Sequence, residues 1–535
     1  MSVMLVCLRK SFRAASCVLF LIYITHIFRA NIHNLWPTVK LPWLKIRTIV
    51  LKYDLITRAT TDSLRNRTTM SSSIFTSPLT SDEKYFMKYW VKQERWRYDY
   101  KYILSPCENQ TQWKSYYLER TVDTITSARS SYLSTFDIRA AGQYSRFVIQ
   151  SVSYSGKKKS QGGDSWRVHV RGASAVQVSI NDHNDGSYEV FFLVLEPGYY
   201  EAYVYLDYSL CDGFKEPPLH WFKMGNAQGK YQPPDALPGH EKPYLEDKFQ
   251  SIFFQVVNSG VSVFDALQQK LLRTVKKCVV WDGLGRWVGN KKPAWVPYFK
   301  RNATSLPKMS RKNGTGVFWI YGDSVGDFLY RSLLQRQSFN TLFASINRTY
   351  CWVYNLKENN LTRAKLEKDS NDFSSDRVVS ELQRVLDDPR FDNNSVILLN
   401  YGLHFAQDVR FSQFKEVINK IVDLLLRYKR LKNFRAKIIW KTTTALYKEK
   451  YGSPESKARH SKGVRFLTVP RVELFNSYST AQMCRAGIDI IDVHALTETY
   501  PFGTGSKKKP WDAVHFESQV FDSMLQFMEG YFGFT

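Results

Sequence analysis

From about Ser131 to Leu210, apolar and polar residues alternate in short runs: Tyr144–Tyr154, Trp166–Gly172, Ala175–Asp182, Ser187–Leu195 and Tyr199–Leu210. A period of two sends successive side chains to opposite faces, so each run reads as a half-buried strand. Strands of this length, split by turns rich in Gly, Asp and Asn, predict an antiparallel sandwich of immunoglobulin type. After Cys278 the pattern changes. Gly316-Val-Phe-Trp-Ile-Tyr321 is an apolar run too short for a helix, and Val325–Gln337 follows with Phe328, Leu329 and Leu333 at helical spacing. The alternation recurs as Ser395–Tyr401 then Phe411–Lys432, Ala436–Thr443 then Glu473–Ala486, and Gly487–Ala495 ahead of a final helix from Glu517. Repeated strand–helix units predict a parallel sheet covered on both faces, with its site at the C-terminal ends of the strands.

The remaining segments follow from these two blocks. Residues 1–30 hold Arg9, Lys10 and Arg13 ahead of an apolar run from Ala14 to Phe28 that ends at Arg29. Basic residues before the run keep the N-terminus cytoplasmic and send the rest of the chain to the lumen, as in a signal anchor. The run is shorter than the roughly 20 residues of an average span, so a cleaved signal peptide is the alternative, although no small-x-small cleavage site follows closely. Residues 31–120 comprise a stem with Pro37 and Pro42, then a Tyr- and Trp-rich stretch with no assignable element. The sandwich is placed at 121–213. A connector at 214–277 carries Pro217-Pro218, Pro233-Pro234 and Pro238, and its Trp221, Phe249 and Phe253 call for burial against the flanking domains. The strand–helix domain takes 278–535.

Composition refines this picture. In 535 residues, 44% hydrophobic and 15% aromatic, there is apolar surface for two cores, and the negative mean hydropathy excludes a multi-span membrane protein. Seven Asn-x-Ser/Thr acceptors, at Asn66, Asn109, Asn302, Asn313, Asn347, Asn360 and Asn393, exceed the about three expected by chance. Five cysteines, Cys107, Cys211, Cys278, Cys351 and Cys484, follow the apolar run; in an oxidising compartment they predict two disulfides and one thiol. No Cys-x-x-Cys pair points to zinc, and no metal site is expected. The net charge of +26 would suggest nucleic acid in the cytosol. In a lumen it points instead to acidic glycans or anionic head groups. Most of the lysines read as solvated surface, with Lys507, Lys508 and Lys509 singled out as candidate contacts for an anionic substrate.

The chemistry concentrates at Gly322-Asp323-Ser324, where a strand hands over to a helix. Such a turn projects a serine hydroxyl from the sheet and supplies main-chain N–H donors from the helix N-terminus. A serine needs a base, and the base needs an orienting group. Asp512-Ala-Val-His515 offers both, with a carboxylate three residues before an imidazole. His404 is the rival base but has no Asp at that spacing, so a positioning or structural role is expected. Asp323 reads as a helix cap. Gly163-Asp164-Ser165 repeats the tripeptide but enters a strand rather than a helix, and is read as a turn. Asp492 and His494 stand two apart on a predicted strand and are read as structural.

Gly-Asp-Ser ending the domain's first strand, with Asp-x-x-His before the last helix, resembles the SGNH or GDSL hydrolase class. That resemblance implies an oxyanion hole made of the serine N–H, a glycine N–H and an asparagine side chain. Asn400 in Asn400-Tyr-Gly-Leu-His404 is the matching asparagine and Gly402 the nearby glycine; an ordinary strand-end cap is the alternative for Asn400. The turn Asn181-Asp-His-Asn-Asp-Gly186 with Glu196-Pro-Gly resembles a filamin repeat. Apolar anchor, filamin-like sandwich, connector and hydrolase-like domain together resemble the neurexophilin and PC-esterase (NXPE) family over about residues 120 to 535. Cys278, Gly285-Arg-Trp-Val288 and Phe318-Trp-Ile-Tyr-Gly-Asp-Ser324 also resemble the PC-esterase domains of plant polysaccharide and animal sialic acid O-acetyltransferases. The expected architecture is a three-layer α/β SGNH-hydrolase-like domain with a parallel sheet, preceded by an immunoglobulin/filamin-like β-sandwich and an N-terminal transmembrane anchor. The resemblance implies acyl-ester chemistry on glycans in the Golgi or secretory lumen, through Ser324, His515 and Asp512 with acetyl-CoA as a possible acetyl donor. The alternatives are a silent binding protein and a lipid or small-ester hydrolase.

Overall fold

The computed structural model describes residues 78–535 except 114–119, 219–243, 261, 290, 300–308, 352, 354–372, 432, 452–463 and 535. The apolar run at 14–28, the stem and the acceptors Asn66, Asn302 and Asn360 lie outside the described residues. Among those described, no helix is long and apolar enough to cross a membrane.

Period-two alternation in the first half resolves into β1 (Thr126–Asp137), β2 (Tyr144–Ser153), β3 (Ser165–Gly172), β4 (Ser174–Val176), β5 (Val178–Asp182), β6 (Ser187–Leu193) and β7 (Gly198–Tyr208). One sheet has the order β1-β2-β6-β5, and β4, β3 and β7 are neighbours in the other. Phe147, Ile149, Val190 and Phe192 from the first sheet meet Val168, Val170, Val204 and Leu206 from the second in one core. The second sheet then outgrows its expected boundary. β8 (Asp247–Lys248) and β9 (Ile252–Val256) come from the supposed connector and both pair with β7. Phe249 is buried as expected, but Phe253 is 71% exposed because it stands on the outer face of β9.

β10 (Val279–Trp281) opens the parallel sheet, after which the chain returns to the sandwich. There β11 (Gly285–Val288) and β12 (Ala294–Pro297) extend the second sheet through β4. The two domains therefore share a seam rather than a linker. Trp287 Nε1–H donates to the Leu496 carbonyl at 2.9 Å and Tyr298 O–H to the Leu193 carbonyl at 2.9 Å.

β13 (Val317–Gly322), β14 (Ser345–Tyr350), β15 (Val396–Leu399), β16 (Lys437–Lys441) and β17 (Asp489–Ile491) complete an all-parallel sheet of order β10-β17-β16-β15-β13-β14. The strand bearing Gly-Asp-Ser is thus the second of this sheet in chain order, not the first. From β13 onward the order is 2-1-3-4-5, so the winding reverses between β13 and β15 and leaves a crevice at their C-terminal ends. The described α-helices are α1 (Ser81–Tyr98), α2 (Tyr100–Leu104), α3 (Val263–Leu272), α4 (Ser324–Leu334), α5 (Gln337–Leu342), α6 (Ser375–Leu386), α7 (Leu403–Asp408), α8 (Phe411–Leu431), α9 (Val469–Arg485), α10 (His494–Glu498) and α11 (Asp522–Tyr531). On α8 Phe414, Val417, Ile421, Leu424 and Tyr428 are buried, the three-and-four spacing of a helix with one face on the sheet.

α1 occupies the stretch to which the sequence pattern assigned no element. Thr80 and Glu83 close its N-terminus as a capping box. It is a strut between the two layers. Tyr89 O–H donates to Glu189 of the sandwich at 2.8 Å, while Arg97 donates to Asp492 at 2.7 Å and to the Asp282 carbonyl at 2.9 Å in the α/β layer. Asp492 also accepts from Thr442 O–H and His494 N–H. The strand ends at Ile491, so Asp492 is a buried anchor and His494 the first residue of α10, not strand positions. Disulfides Cys107–Cys211 and Cys278–Cys484 fasten α1 and α2 to the sandwich and β10 to α9, and Cys351 is a buried thiol.

Candidate active site

β13 ends at Gly322 and α4 begins at Ser324, which puts the Ser324 hydroxyl at the sheet's switch point. Asp323 makes this turn rigid. Its Oδ1 accepts the Val325 N–H at 3.0 Å and caps α4; its Oδ2 accepts the Leu403 N–H at 3.2 Å, at the start of α7. One carboxylate therefore ties together the N-termini of the two helices that follow β13 and β15.

Across the crevice, the segment before α11 brings in Asp512 and His515. Ser324 O–H donates to His515 Nε2 at 2.8 Å, and His515 Nδ1–H donates to Asp512 Oδ2 at 2.8 Å. The other Asp512 oxygen accepts the N–H groups of Val514 and His515 at 2.9 and 3.0 Å, so the carboxylate is held from two sides. Burial raises the Asp512 pKa, but the hydrogen bond and charge of His515 and the two N–H donors outweigh it, leaving the carboxyl below its ordinary value. Phe328, one turn along α4, stacks on the His515 ring at 4.7 Å. His515 and Asp512 side chains keep 25% and 20% exposure, so the site opens to solvent.

The remaining sequence candidates distribute differently. Asn400 reaches the crevice, but its amide nitrogen donates to the Lys441 carbonyl at 2.9 Å and to Thr443 Oγ1 at 3.2 Å. Both amide protons are hydrogen-bonded at the end of β16, so the expected oxyanion role would need the amide to release one of them. Gly402 matters for space: a Cβ there would stand 2.5 Å from Asp323 Oδ2 and 2.7 Å from Asn400 Oδ1. His404 is hydrogen-bonded to Tyr350 at 3.2 Å, and burial holds its pKa down at about 4 against the pull of Asp323. Lys507, Lys508 and Lys509 are exposed on a tight turn. That turn is fastened to His515 by the Gly505 N–H, which donates to the His515 carbonyl at 2.7 Å. Asn109, Asn313 and Asn393 are exposed, whereas Asn347 is half-buried within β14. In the second Gly-Asp-Ser, Gly163 passes against the Cys211 sulfur, and Asp164 is buried, accepting from Thr126 and Ser209 hydroxyls.

Two groups went unrecognised in the sequence. Tyr350 ends β14 opposite Gly322; no motif marks it. Lys441, fully buried at the end of β16, donates to the Thr442 carbonyl at 3.0 Å, and burial lowers its pKa to about 8 although Asp323 acts in the opposite sense.

Residues 127–211, which fold as the sandwich strands, match the Filamin/ABP280 repeat family. Among solved structures, the Lin-41 filamin domain is 16% identical over 15% of this chain and 79% of its own, with a TM-score of 0.14. A lipase/acylhydrolase from Enterococcus faecalis is 11% identical over 40% of this chain and 94% of its own, with a TM-score of 0.25. A protein from Parabacteroides merdae described as a GDSL-like lipase is 13% identical over 43% of this chain and 100% of its own, also at 0.25. Over residues 127–211 the chain is similar to a filamin repeat. At these scores the case for chemistry belongs to its own side chains.

Proposed function

We propose that this chain is a serine-dependent acyl-ester enzyme, an O-acetyltransferase or O-acetyl esterase acting on glycan hydroxyls. The observation that carries the reading is the unbroken relay from Ser324 through His515 to Asp512, with 2.8 Å at each link. His515 Nε2 takes the Ser324 proton as Oγ attacks an acetyl carbonyl, and the imidazolium so formed is stabilised by Asp512. The same proton passes to the leaving thiol or alcohol, and the acetyl group stays on Ser324. A sugar hydroxyl, or water, then gives its proton to His515 and attacks, which releases the product and restores the serine. Acetyl-CoA is the donor the reading favours, and the exposed Lys507 to Lys509 suit its phosphates or an acidic acceptor. A luminal, single-pass type II setting in the Golgi, with glycosylation at the acceptor asparagines, accords with the two disulfides.

The committed amide of Asn400 favours a second reading, a catalytically silent anchored or secreted binding protein of the neurexophilin-like type. Incubating the full chain with radiolabelled acetyl-CoA and an acidic glycan separates the two. Label on the glycan or released as acetate, and lost in Ser324→Ala, supports the enzyme. Equal signal from both proteins, or none from either, supports the silent form.

A further inference from the structure

Resting on the reading of Ser324 as nucleophile, a second question is what stabilises the oxyanion now that Asn400 is committed elsewhere. Attack by Ser324 Oγ moves the carbonyl electron pair onto oxygen, beside the Ser324 N–H at the head of α4. Tyr350 leaves β14 opposite Gly322, next to that turn. The next residue, Cys351, donates its N–H to the Gly322 carbonyl at 2.7 Å, which fastens the end of β14 to the turn that carries Ser324. His404 Nε2 lies 3.2 Å from the phenol oxygen. His404 is itself placed by the same turn, because Asp323 binds the Leu403 N–H at the start of α7.

We infer that the Tyr350 hydroxyl is an oxyanion donor of this site and that His404 is the positioning residue that aims it. With its proton on Nε2, His404 donates to the phenol oxygen and leaves the phenol proton for the acyl oxygen. The new Oγ–C bond forms, the oxyanion accepts from Ser324 N–H and Tyr350 O–H, and its collapse expels the leaving group with the proton held by His515. Tyr350 keeps its proton throughout. Burial and the Asp323 carboxylate both raise its pKa, so it stays a donor at neutral pH. Burial likewise keeps His404 neutral. A tyrosine serves as such a donor wherever its O–H points at developing negative charge.

The test uses the full chain and two readouts, turnover of p-nitrophenyl acetate and the rate at which a fluorophosphonate modifies Ser324, whose phosphoryl oxygen occupies the same position. Tyr350→Phe, which keeps the ring, is expected to lower kcat and the modification rate about 100- to 1,000-fold with KM little changed. His404→Leu should approach that loss, and His404→Gln, whose amide still donates, should recover most of it; melting temperatures verify that each variant is folded. Turnover that needs Ser324 but stays within about three-fold of wild type in a folded Tyr350→Phe protein overturns the inference alone. Turnover that survives Ser324→Ala overturns the underlying reading and this inference with it. If Tyr350→Phe does not fold, His404→Leu decides by the same criteria.

Discussion

Asp512→Asn isolates what the relay contributes, because it removes a charge and reverses one hydrogen bond while preserving shape. Asp512 Oδ1 is held by two main-chain N–H groups, and Oδ2 by His515 Nδ1. The asparagine carbonyl oxygen takes over the two main-chain bonds, so its NH2 must face Nδ1. Nδ1 then accepts, the ring proton moves to Nε2, and Nε2–H confronts Ser324 Oγ from 2.8 Å with no lone pair to receive its proton. In a Ser-His-Asp triad this tautomer reversal costs about 10⁴ in kcat, or about 5.4 kcal/mol of barrier. The assay is kcat and KM for p-nitrophenyl acetate at neutral pH, beside a thermal melt showing the fold retained. KM should change little. A variant within about ten-fold of wild-type kcat would refute the reasoning, since it would mean that the Asp512–His515 bond does not set the tautomer.

Three further outcomes follow from the geometry. Closing 104 residues, the Cys107–Cys211 bridge should contribute about 4.7 kcal/mol; urea unfolding of Cys107→Ser/Cys211→Ser should show a loss of several kcal/mol, and an unchanged midpoint would contradict it. Gly402→Ala puts a methyl 2.5 Å from Asp323 Oδ2, so the cap shared by α4 and α7 must shift. Stability should fall by about 1–3 kcal/mol and turnover with it, measured by melt and assay together; a fully active, unshifted protein would count against the shared cap. His404 has a folded pKa of about 4 against 6.5 in model peptides, so between those values the unfolded chain binds a proton that the folded chain refuses. Stability should therefore decline as pH falls through that window, and His404→Gln should flatten the decline in urea melts at several pH values.

Much of this fold was legible because its signals are local. The sandwich strands and the units around β13, β15 and β16 show a face or an apolar run within a few residues of sequence, and Gly-Asp-Ser and Asp-x-x-His each declare a turn. α1 was illegible for the opposite reason. Phe86, Met87, Tyr89 and Trp90 are all buried because the helix lies between two layers, so no single apolar stripe survives. The short strands β8, β9 and β11 pair with β7 or β4, distant in the chain, and nothing local encodes that pairing. Asn400 stands at the expected strand end, yet motif position says where the backbone goes and not where an amide points; Lys441, which ends the next strand, and Thr443 just beyond it decide that. Tyr350 carries no signal at all, since its relevance comes from register with Gly322.

The central claim is that the acyl group passes through Ser324. Mixing the full chain with isotopically labelled acetyl-CoA, quenching in acid within one turnover and mapping the peptides by mass spectrometry tests this most directly. The account predicts acetyl on the peptide containing Ser324 and its disappearance when an acceptor glycan is supplied. Turnover with that peptide unmodified, or with the acetyl group on a different residue, would contradict it.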